Sequence, residues 1–162
     1  MTQDPVPSAG ARELVLSRVI PVTRRSAYRC WTEPELMKRW FAPRPWSVSD
    51  VEVDVRPGGI NRIVMRSPEG EDHPNEGVYL EVVPDRRLVV TDAYVRAWQP
   101  SQKPFMTLIL ELEDADGGTR YTATVRHWSE EDRAAHEAMG FHEGWGQCLD
   151  QLVAVARELD EG

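Results

Sequence analysis

The C-terminal part of this 162-residue chain constrains the fold more than any other stretch. No proline interrupts residues 129–159, so the segment is predicted to form one long helix. In its second half, apolar residues recur at steps of four, three, four and three, which places them on one stripe of the helix. They are Trp145, Leu149, Leu152, Ala156 and Leu159. Such a stripe needs an apolar surface to pack against, which the upstream sequence must supply.

The upstream sequence supplies that surface as a series of short strands. Apolar residues recur there with a period of two, as at Val51, Val53 and Val55, with acidic residues between them. Turn-forming residues such as Pro57-Gly58-Gly59 separate the strands at fairly even spacing, which is typical of an antiparallel meander. The predicted strands are residues 14–22, 51–55, 60–66, 77–83, 87–95, 105–112 and 121–127, with a polar loop over 68–75.

Two short helices are predicted between the first strand and the others. Thr23 is placed to cap a helix that runs through Thr32. The sequence Thr32-Glu33-Pro34-Glu35 is predicted to open the second helix as a capping box, and Pro43 and Pro45 end it. The order of one strand, two short helices, about six strands and one long helix predicts an α+β fold whose helix lies across the sheet.

Composition and charge argue against several classes of protein. The formal net charge of −8 disfavours nucleic-acid and anionic-membrane partners, which require clustered Lys and Arg. No apolar run approaches the ~20 residues that span a bilayer. Residues 1–11 lack the features of a secretory signal and are predicted to be a disordered tail before a single domain at 12–162. Cys30 and Cys148 are predicted to be free, buried thiols, which favours the cytoplasm.

Several stretches of the chain, taken in order, resemble one known family. They are residues 31–34 (WTEP), 53–59 (VDVRPGG), 77–84 (GVYLEVVP), 117–119 (GGT), 144–145 (GW) and 149–152 (LDQL). Together they resemble the START-like (SRPBCC) superfamily and, within it, the single-domain proteins named after the activator of the heat-shock-protein-90 ATPase. The resemblance implies a helix-grip (Bet v 1-like) fold, in which a curved antiparallel sheet wraps around a long C-terminal helix and leaves a cavity.

The resemblance also implies a set of possible functions. Members of the superfamily bind lipids, hormones, polyketides and other hydrophobic molecules, and some are cyclases or aromatases. The leading hypothesis is therefore the binding of a small hydrophobic or amphipathic molecule, without catalysis, by a monomer or homodimer. One alternative is a polyketide cyclase or dehydratase-like enzyme. The other is a protein-interaction module that regulates a chaperone or acts in a stress response.

Six residues are the candidate ligand contacts. Arg62 and Tyr79 lie in the strand register that a cavity would see, and His127 ends the last strand on the face of the alternating apolar residues. The alternative for His127 is a strand-end histidine half in solvent, and for Arg62 a surface position. Trp46 and Trp98 fall beside loops, where they can line the rim of a pocket or form an interaction surface, whereas Trp145 lies on the helix stripe.

Neither a metal, a cofactor nor a catalytic residue is predicted. His136-Glu137 and His142-Glu143 lie close together, but a zincin needs histidines four residues apart, and position 140 is Gly140. The stretch Arg56-Pro57-Gly58-Gly59 is interpreted as a tight turn rather than a phosphate-binding loop, because a strand follows it instead of a helix. The spacing suggests no Ser-His-Asp or Cys-His pair.

Overall fold

The computed structural model describes residues 11–96 and 99–161. Residues 1–10, which make up all but one of the predicted disordered tail, lie outside them, so that prediction and the domain boundary stay predictions. The elements in chain order are β1 (Glu13–Ile20), α1 (Arg24–Thr32), α2 (Pro34–Trp40), β2 (Ser47–Val53), β3 (Ile60–Arg66), β4 (Asp72–Val83), β5 (Arg87–Thr91), β6 (Tyr94–Arg96), β7 (Gln99–Pro100), β8 (Met106–Ala115), β9 (Gly118–His127), α3 (Glu130–Ala138) and α4 (Phe141–Glu161).

Seven of the strands form one antiparallel sheet. Its order is β1-β9-β8-β5-β4-β3-β2, so that neighbouring strands are mostly consecutive in sequence and the first strand pairs with the last. The strands β6 and β7 form a separate two-stranded sheet, and β6 packs against β4. This arrangement confirms the predicted α+β fold with an antiparallel meander.

The core lies between the inner face of this sheet and α4. Leu110 pairs in register with Leu88 on one side and Ala123 on the other, and all three side chains are fully buried. The helix contributes Leu149, Leu152 and Ala156, which are also buried, while Trp145 and Leu159 are partly buried against the same core. The predicted apolar stripe is therefore confirmed as the surface that covers the sheet.

The prediction of one helix over 129–159 is wrong, because the chain bends at Gly140. Helix α3 begins after Ser129, whose hydroxyl accepts a hydrogen bond from the backbone N–H of Asp132 at 3.1 Å, and it ends at Ala138. Gly140 has a φ of +92°, in the left-handed region that glycine adopts without steric cost and that terminates helices. A second helix, α4, then begins at Phe141. An absence of proline does not exclude a break at glycine.

The first short helix follows the prediction and the second departs from it. Thr23 caps α1 by accepting a hydrogen bond from the Ser26 backbone N–H at 3.2 Å. The predicted capping box is wrong, because Thr32 still belongs to α1 and its hydroxyl donates to the Tyr28 carbonyl at 2.9 Å. Helix α2 opens instead with Pro34 in its first turn, where a missing N–H costs nothing.

Two strand boundaries also differ from the prediction. The polar loop predicted over 68–75 is shorter, because β4 already begins at Asp72, which pairs in register with Arg66 of β3. The strand predicted over 87–95 is interrupted after Thr91. There the Asp92 carboxylate accepts hydrogen bonds from the backbone N–H groups of Phe105 at 2.8 Å and Met106 at 3.0 Å. Because Asp92 is bonded to the residues at the start of β8, the regular pairing of β5 ends at Thr91.

Polar side chains fix α4 relative to the two short helices. The Gln151 amide donates to the carbonyls of Trp40 and Ala42, both at 2.9 Å. The Asp160 carboxylate accepts from the backbone N–H of Thr23 at 3.0 Å and from the hydroxyl of Ser26 at 2.5 Å, so that it caps α1 from outside. These bonds lower the pKa of Asp160. The helix is therefore held at two points along its length.

Neither cysteine takes part in a disulfide bond. Cys30 and Cys148 are both free thiols, as predicted, and burial raises the pKa of each to about 12. Cys30 is fully buried, whereas Cys148 is partly exposed. Within residues 11–96 and 99–161, no helix is both long and apolar enough to cross a membrane.

Candidate functional site

The first polar group on the inner face of the sheet is a pair formed by Tyr79 and Asn61. Tyr79 of β4 lies beside Val90 of β5, and 1% of its surface is exposed. The Asn61 side-chain amide, on the adjacent strand β3, donates a hydrogen bond to the Tyr79 hydroxyl at 3.1 Å. Burial raises the pKa of Tyr79 to about 12, so the phenol keeps its proton at neutral pH. An O–H group that accepts from Asn61 still has its own hydrogen to donate.

Arg62 does not belong to this face, so the expectation that it points into the cavity is wrong. It follows Asn61 directly in β3, and successive side chains of a strand point to opposite faces. Its guanidinium makes ion pairs with Asp50 at 3.1 Å and with Glu76 at 3.4 Å. Arg62 is the centre of a charge cluster on the outer face, with carboxylates from both neighbouring strands.

Several apolar side chains of the inner face are incompletely covered. Val90 lies in β5, between Tyr79 of β4 and Leu108 of β8, and those two neighbours are almost completely buried. Val90 itself is only partly buried, although it packs against the core. Val90 is therefore less completely covered than the residues that flank it on both neighbouring strands. The other partly buried apolar residues around the core include Val53, Val55, Val82, Met106, Trp145 and Cys148.

The second polar group is a histidine pair at the end of the sheet. His127, the last residue of β9, is 5% exposed, so the alternative of a strand-end histidine half in solvent is wrong. Its Nδ1 lies 3.0 Å from the Arg12 carbonyl oxygen, and its Nε2 lies 2.8 Å from Nδ1 of His136 in α3. His127 thus has two partners that orient its ring, neither of which the sequence alone identifies.

These contacts fix the position of the protons when both rings are neutral. A carbonyl oxygen only accepts, so His127 Nδ1 carries a hydrogen and donates to Arg12. His127 Nε2 is then an acceptor, and His136 Nδ1 must donate to it. His136 Nε2 is left with a lone pair, and it has no hydrogen-bond partner among the residues that the structure describes.

Aromatic side chains surround His136 and connect this pair to α4. The ring centroid of His136 lies 5.3 Å from Phe105, 5.1 Å from Phe141 and 6.3 Å from Trp145, and Phe105 also contacts His127. Burial, and to a smaller extent the neighbouring His127, lowers the pKa of His136 to about 4. The imidazole of His136 is therefore neutral at pH 7. We call His127, His136, Phe105, Phe141 and Trp145 the histidine–aromatic cluster.

The remaining tryptophan candidates are not part of this cluster. Trp46 is partly buried and its ring lies 5.3 Å from His73. Trp98 lies outside the described residues. Trp128 and Met139, at either end of α3, are exposed by 63% and 71%. An interaction surface around Trp46 and Trp98 therefore stays a prediction, as do homodimerisation and the chaperone partner.

The histidines that prompted a metal hypothesis are separated by the helix break. His136 belongs to the histidine–aromatic cluster. His142 lies beyond Gly140 in α4, and its Nε2 is 3.7 Å from the Glu137 carboxylate of α3. Within the described part of the chain, no group of three or more His, Cys, Asp or Glu side chains is arranged to hold a metal ion. The Arg56–Gly59 segment is a turn between β2 and β3, as interpreted, with Gly58 at a φ of +83°.

A seven-stranded antiparallel sheet that packs its inner face on a long C-terminal helix defines a protein of the helix-grip class. Within this class, the chain matches the family described as "Activator of Hsp90 ATPase homolog 1-like protein" over residues 21–157. It therefore belongs to that family, which is an SRPBCC family, and the predicted resemblance is confirmed. A search of curated proteins gives no significant match.

Solved structures show the same fold. The chain is similar to a protein from Nitrosomonas europaea, at 43% identity and a TM-score of 0.91, over 94% of this chain and 99% of that one. It also resembles a protein from Rhodobacter sphaeroides (23% identity, TM-score 0.80, 90% and 93% covered). A third similar structure comes from Chromobacterium violaceum (24% identity, TM-score 0.74, 89% and 96% covered). At these lower identities the last two show the fold alone.

Proposed function

We propose that this protein binds a small hydrophobic or amphipathic molecule between the inner face of its sheet and α4. The partial exposure of Val90 carries this proposal, because a valine in the middle of a seven-stranded sheet is accessible only if the helix leaves space above it. Apolar walls with a few placed polar groups are the usual lining of small-molecule sites. Here the walls include Val53 and Met106, and the partly exposed Asn61, bonded to the buried Tyr79 hydroxyl, supplies a polar group.

Enlarging Val90 tests the proposal directly. In Val90→Phe the larger ring occupies the space, so the affinity for the fluorescent probe 1-anilinonaphthalene-8-sulfonate falls about tenfold. Val19→Phe is the matched control, because Val19 is 39% exposed on the edge strand β1, and this variant keeps wild-type affinity. Native mass spectrometry of freshly purified wild-type protein would then identify any molecule that is retained. Equal probe binding by the wild type and Val90→Phe contradicts the proposal.

A second candidate is an acid–base enzyme of the cyclase or dehydratase kind, which the burial of His127 favours. Both nitrogens of His127 are already hydrogen-bonded, so the nitrogen that can reach a substrate is Nε2 of His136. A suitable test substrate is 4-hydroxy-4-phenyl-2-butanone, whose loss of water gives an enone that absorbs in the ultraviolet. Enzymatic dehydration that is lost in His136→Asn supports this candidate, and a rate no higher than that of buffer argues against it.

A further inference from the structure

The histidine–aromatic cluster presents one unpaired polar atom, Nε2 of His136, among apolar rings. The chain of hydrogen bonds from Arg12 through His127 to His136 gives this atom a fixed role as an acceptor while the rings are neutral. No described residue donates a hydrogen bond to it. A bound molecule that reaches this end of the sheet would therefore meet an acceptor that is held in place by two successive hydrogen bonds.

The histidine–aromatic cluster lies at the end of the inner face of the sheet. In β9, His127 follows Tyr121, Ala123 and Val125 with a period of two, and those three residues belong to the core. In α4, Phe141 is buried in the same core and Trp145 is partly buried against it. The cluster thus continues the apolar lining from the centre of the sheet to its end, where α3 carries His136 across the last strand.

The chemistry of the cluster selects among ligands. A neutral imidazole nitrogen repels a carboxylate or phosphate oxygen and accepts from an uncharged donor. The partly exposed rings of Phe105 and Trp145 favour a flat aromatic body in offset or edge-to-face contact, while Phe141 is buried behind His136. His136 is only partly buried, so water can reach Nε2 when no ligand is bound. A ligand donor replaces that water, and an analogue without the donor forgoes one hydrogen bond.

We propose that the molecule bound by this protein is an aromatic or conjugated compound that carries a phenol or enol O–H group, and that this group donates its hydrogen bond to Nε2 of His136. The inference rests on the proposed binding function and narrows it to one class of ligand. It involves no covalent step, so the proton stays on the ligand oxygen.

A pair of probes with the same body tests this proposal. 2-Naphthol carries the O–H donor, and 2-methoxynaphthalene replaces the hydrogen by a methyl group. We expect the wild-type protein to bind 2-naphthol at least about fivefold more tightly, which is the effect of one net hydrogen bond. Isothermal titration calorimetry gives both affinities.

The variant His136→Asn isolates the role of Nε2. The asparagine amide N–H can replace Nδ1 as the donor to His127, while nothing replaces Nε2. We expect the ratio of the two affinities to fall to about one, because the variant no longer accepts from the ligand. His142→Asn is the matched control, since His142 is exposed and lies beyond the helix break, and it keeps the wild-type ratio.

The outcomes separate the two proposals. Binding of both probes with no preference in the wild type, or a preference that persists in His136→Asn, overturns the assignment of His136 and leaves the binding function standing. If neither probe binds the wild type, both proposals fail for this class of molecule. If His136→Asn does not fold, NMR spectroscopy of the wild-type protein tests the same hydrogen bond. The ¹⁵N resonance of His136 Nε2 must shift when 2-naphthol binds and stay in place with 2-methoxynaphthalene.

Discussion

The two polar groups on the inner face of the sheet differ in how the chain assembles them. Tyr79 and Asn61 lie on adjacent antiparallel strands, and a single hydrogen bond joins them. His127 and His136 lie on a strand and on a separate helix, and the Arg12 carbonyl, directly before β1, joins them through His127. The tyrosine offers a donor and the histidine an acceptor. The two groups therefore have opposite hydrogen-bonding characters, one within the sheet and the other where α3 meets the last strand.

Removing His127 should have the largest effect. His127→Ala deletes a buried ring and its two side-chain hydrogen bonds, so that His136 Nδ1 loses its partner. The Arg12 carbonyl keeps only the bond from the backbone N–H of residue 127 at 2.7 Å. We expect the free energy of unfolding to fall by about 3 kcal/mol, from lost packing and two broken bonds. Urea unfolding measures this, with Val19→Ala as the exposed control. A loss below about 1 kcal/mol would mean that the histidine pair does not hold the elements together.

Acid should weaken the histidine pair and spare the tyrosine pair. Burial lowers the pKa of His136 in the folded protein to about 4, so the unfolded chain binds the proton more readily. The stability that the neutral ring contributes is complete above about pH 6.5 and is lost as the pH falls towards 4. Allowing for its partial exposure, we expect a loss of about 1–2 kcal/mol.

Urea unfolding of the wild type and of His136→Asn, at about pH 7 and about pH 4.5, measures this difference. Carboxylates such as Asp160, whose pKa is also lowered, weaken both proteins alike in acid and cancel in the comparison. The wild type should lose more stability than the variant. Equal losses in the two proteins would assign the acid sensitivity to the carboxylates alone.

Removing the Tyr79 hydroxyl should have a smaller effect than removing His127. Tyr79→Phe keeps the buried ring and breaks only the bond from Asn61, so we expect a loss of about 1 kcal/mol or less. Chemical denaturation again supplies the value, and Asn61→Ala in the Tyr79→Phe background shows whether the two effects share one bond. A loss as large as that of His127→Ala would remove the distinction between the two groups.

Arg62 should have the smallest effect, because it lies on the other face. Arg62→Gln removes ion pairs to Asp50 and Glu76 that are open to solvent, and such pairs contribute about 0.5 kcal/mol or less. We expect unchanged binding of the naphthalene probes and a small decrease in thermal stability. Weaker probe binding in this variant would show that the outer face takes part in the site.

Periodicity explains why most of the fold could be predicted. The stripe from Leu149 to Ala156 and the alternation in β9 each repeat over several residues, so a single exception does not obscure them. The face to which each side chain of β3 points is harder to predict. Ile63 and Val64 are adjacent apolar residues, both are buried, and they give no clean alternation. The sequence therefore leaves open which face carries Arg62, and the structure places it on the outer one.

The histidine pair could not be predicted for a different reason. His136 follows His127 by nine residues, and the two meet only because Ser129 starts α3 directly after the strand and the helix folds back over it. The break at Gly140 that separates this helix from α4 has a one-residue signal. A contact that depends on a turn of this kind is determined by tertiary packing rather than by local sequence pattern.

The bonds made by Gln151 and Asp160 restrict how the length of α4 can change in this protein. Gln151 binds the carbonyls of Trp40 and Ala42 at the end of α2, and Asp160, nine residues later on the same helix, binds the start of α1. Each added residue turns the rest of a helix by about 100° and advances it by about 1.5 Å. An insertion or deletion between these two positions would therefore satisfy one attachment and misdirect the other. The segment between them should tolerate substitutions at its exposed positions and reject any change in its length.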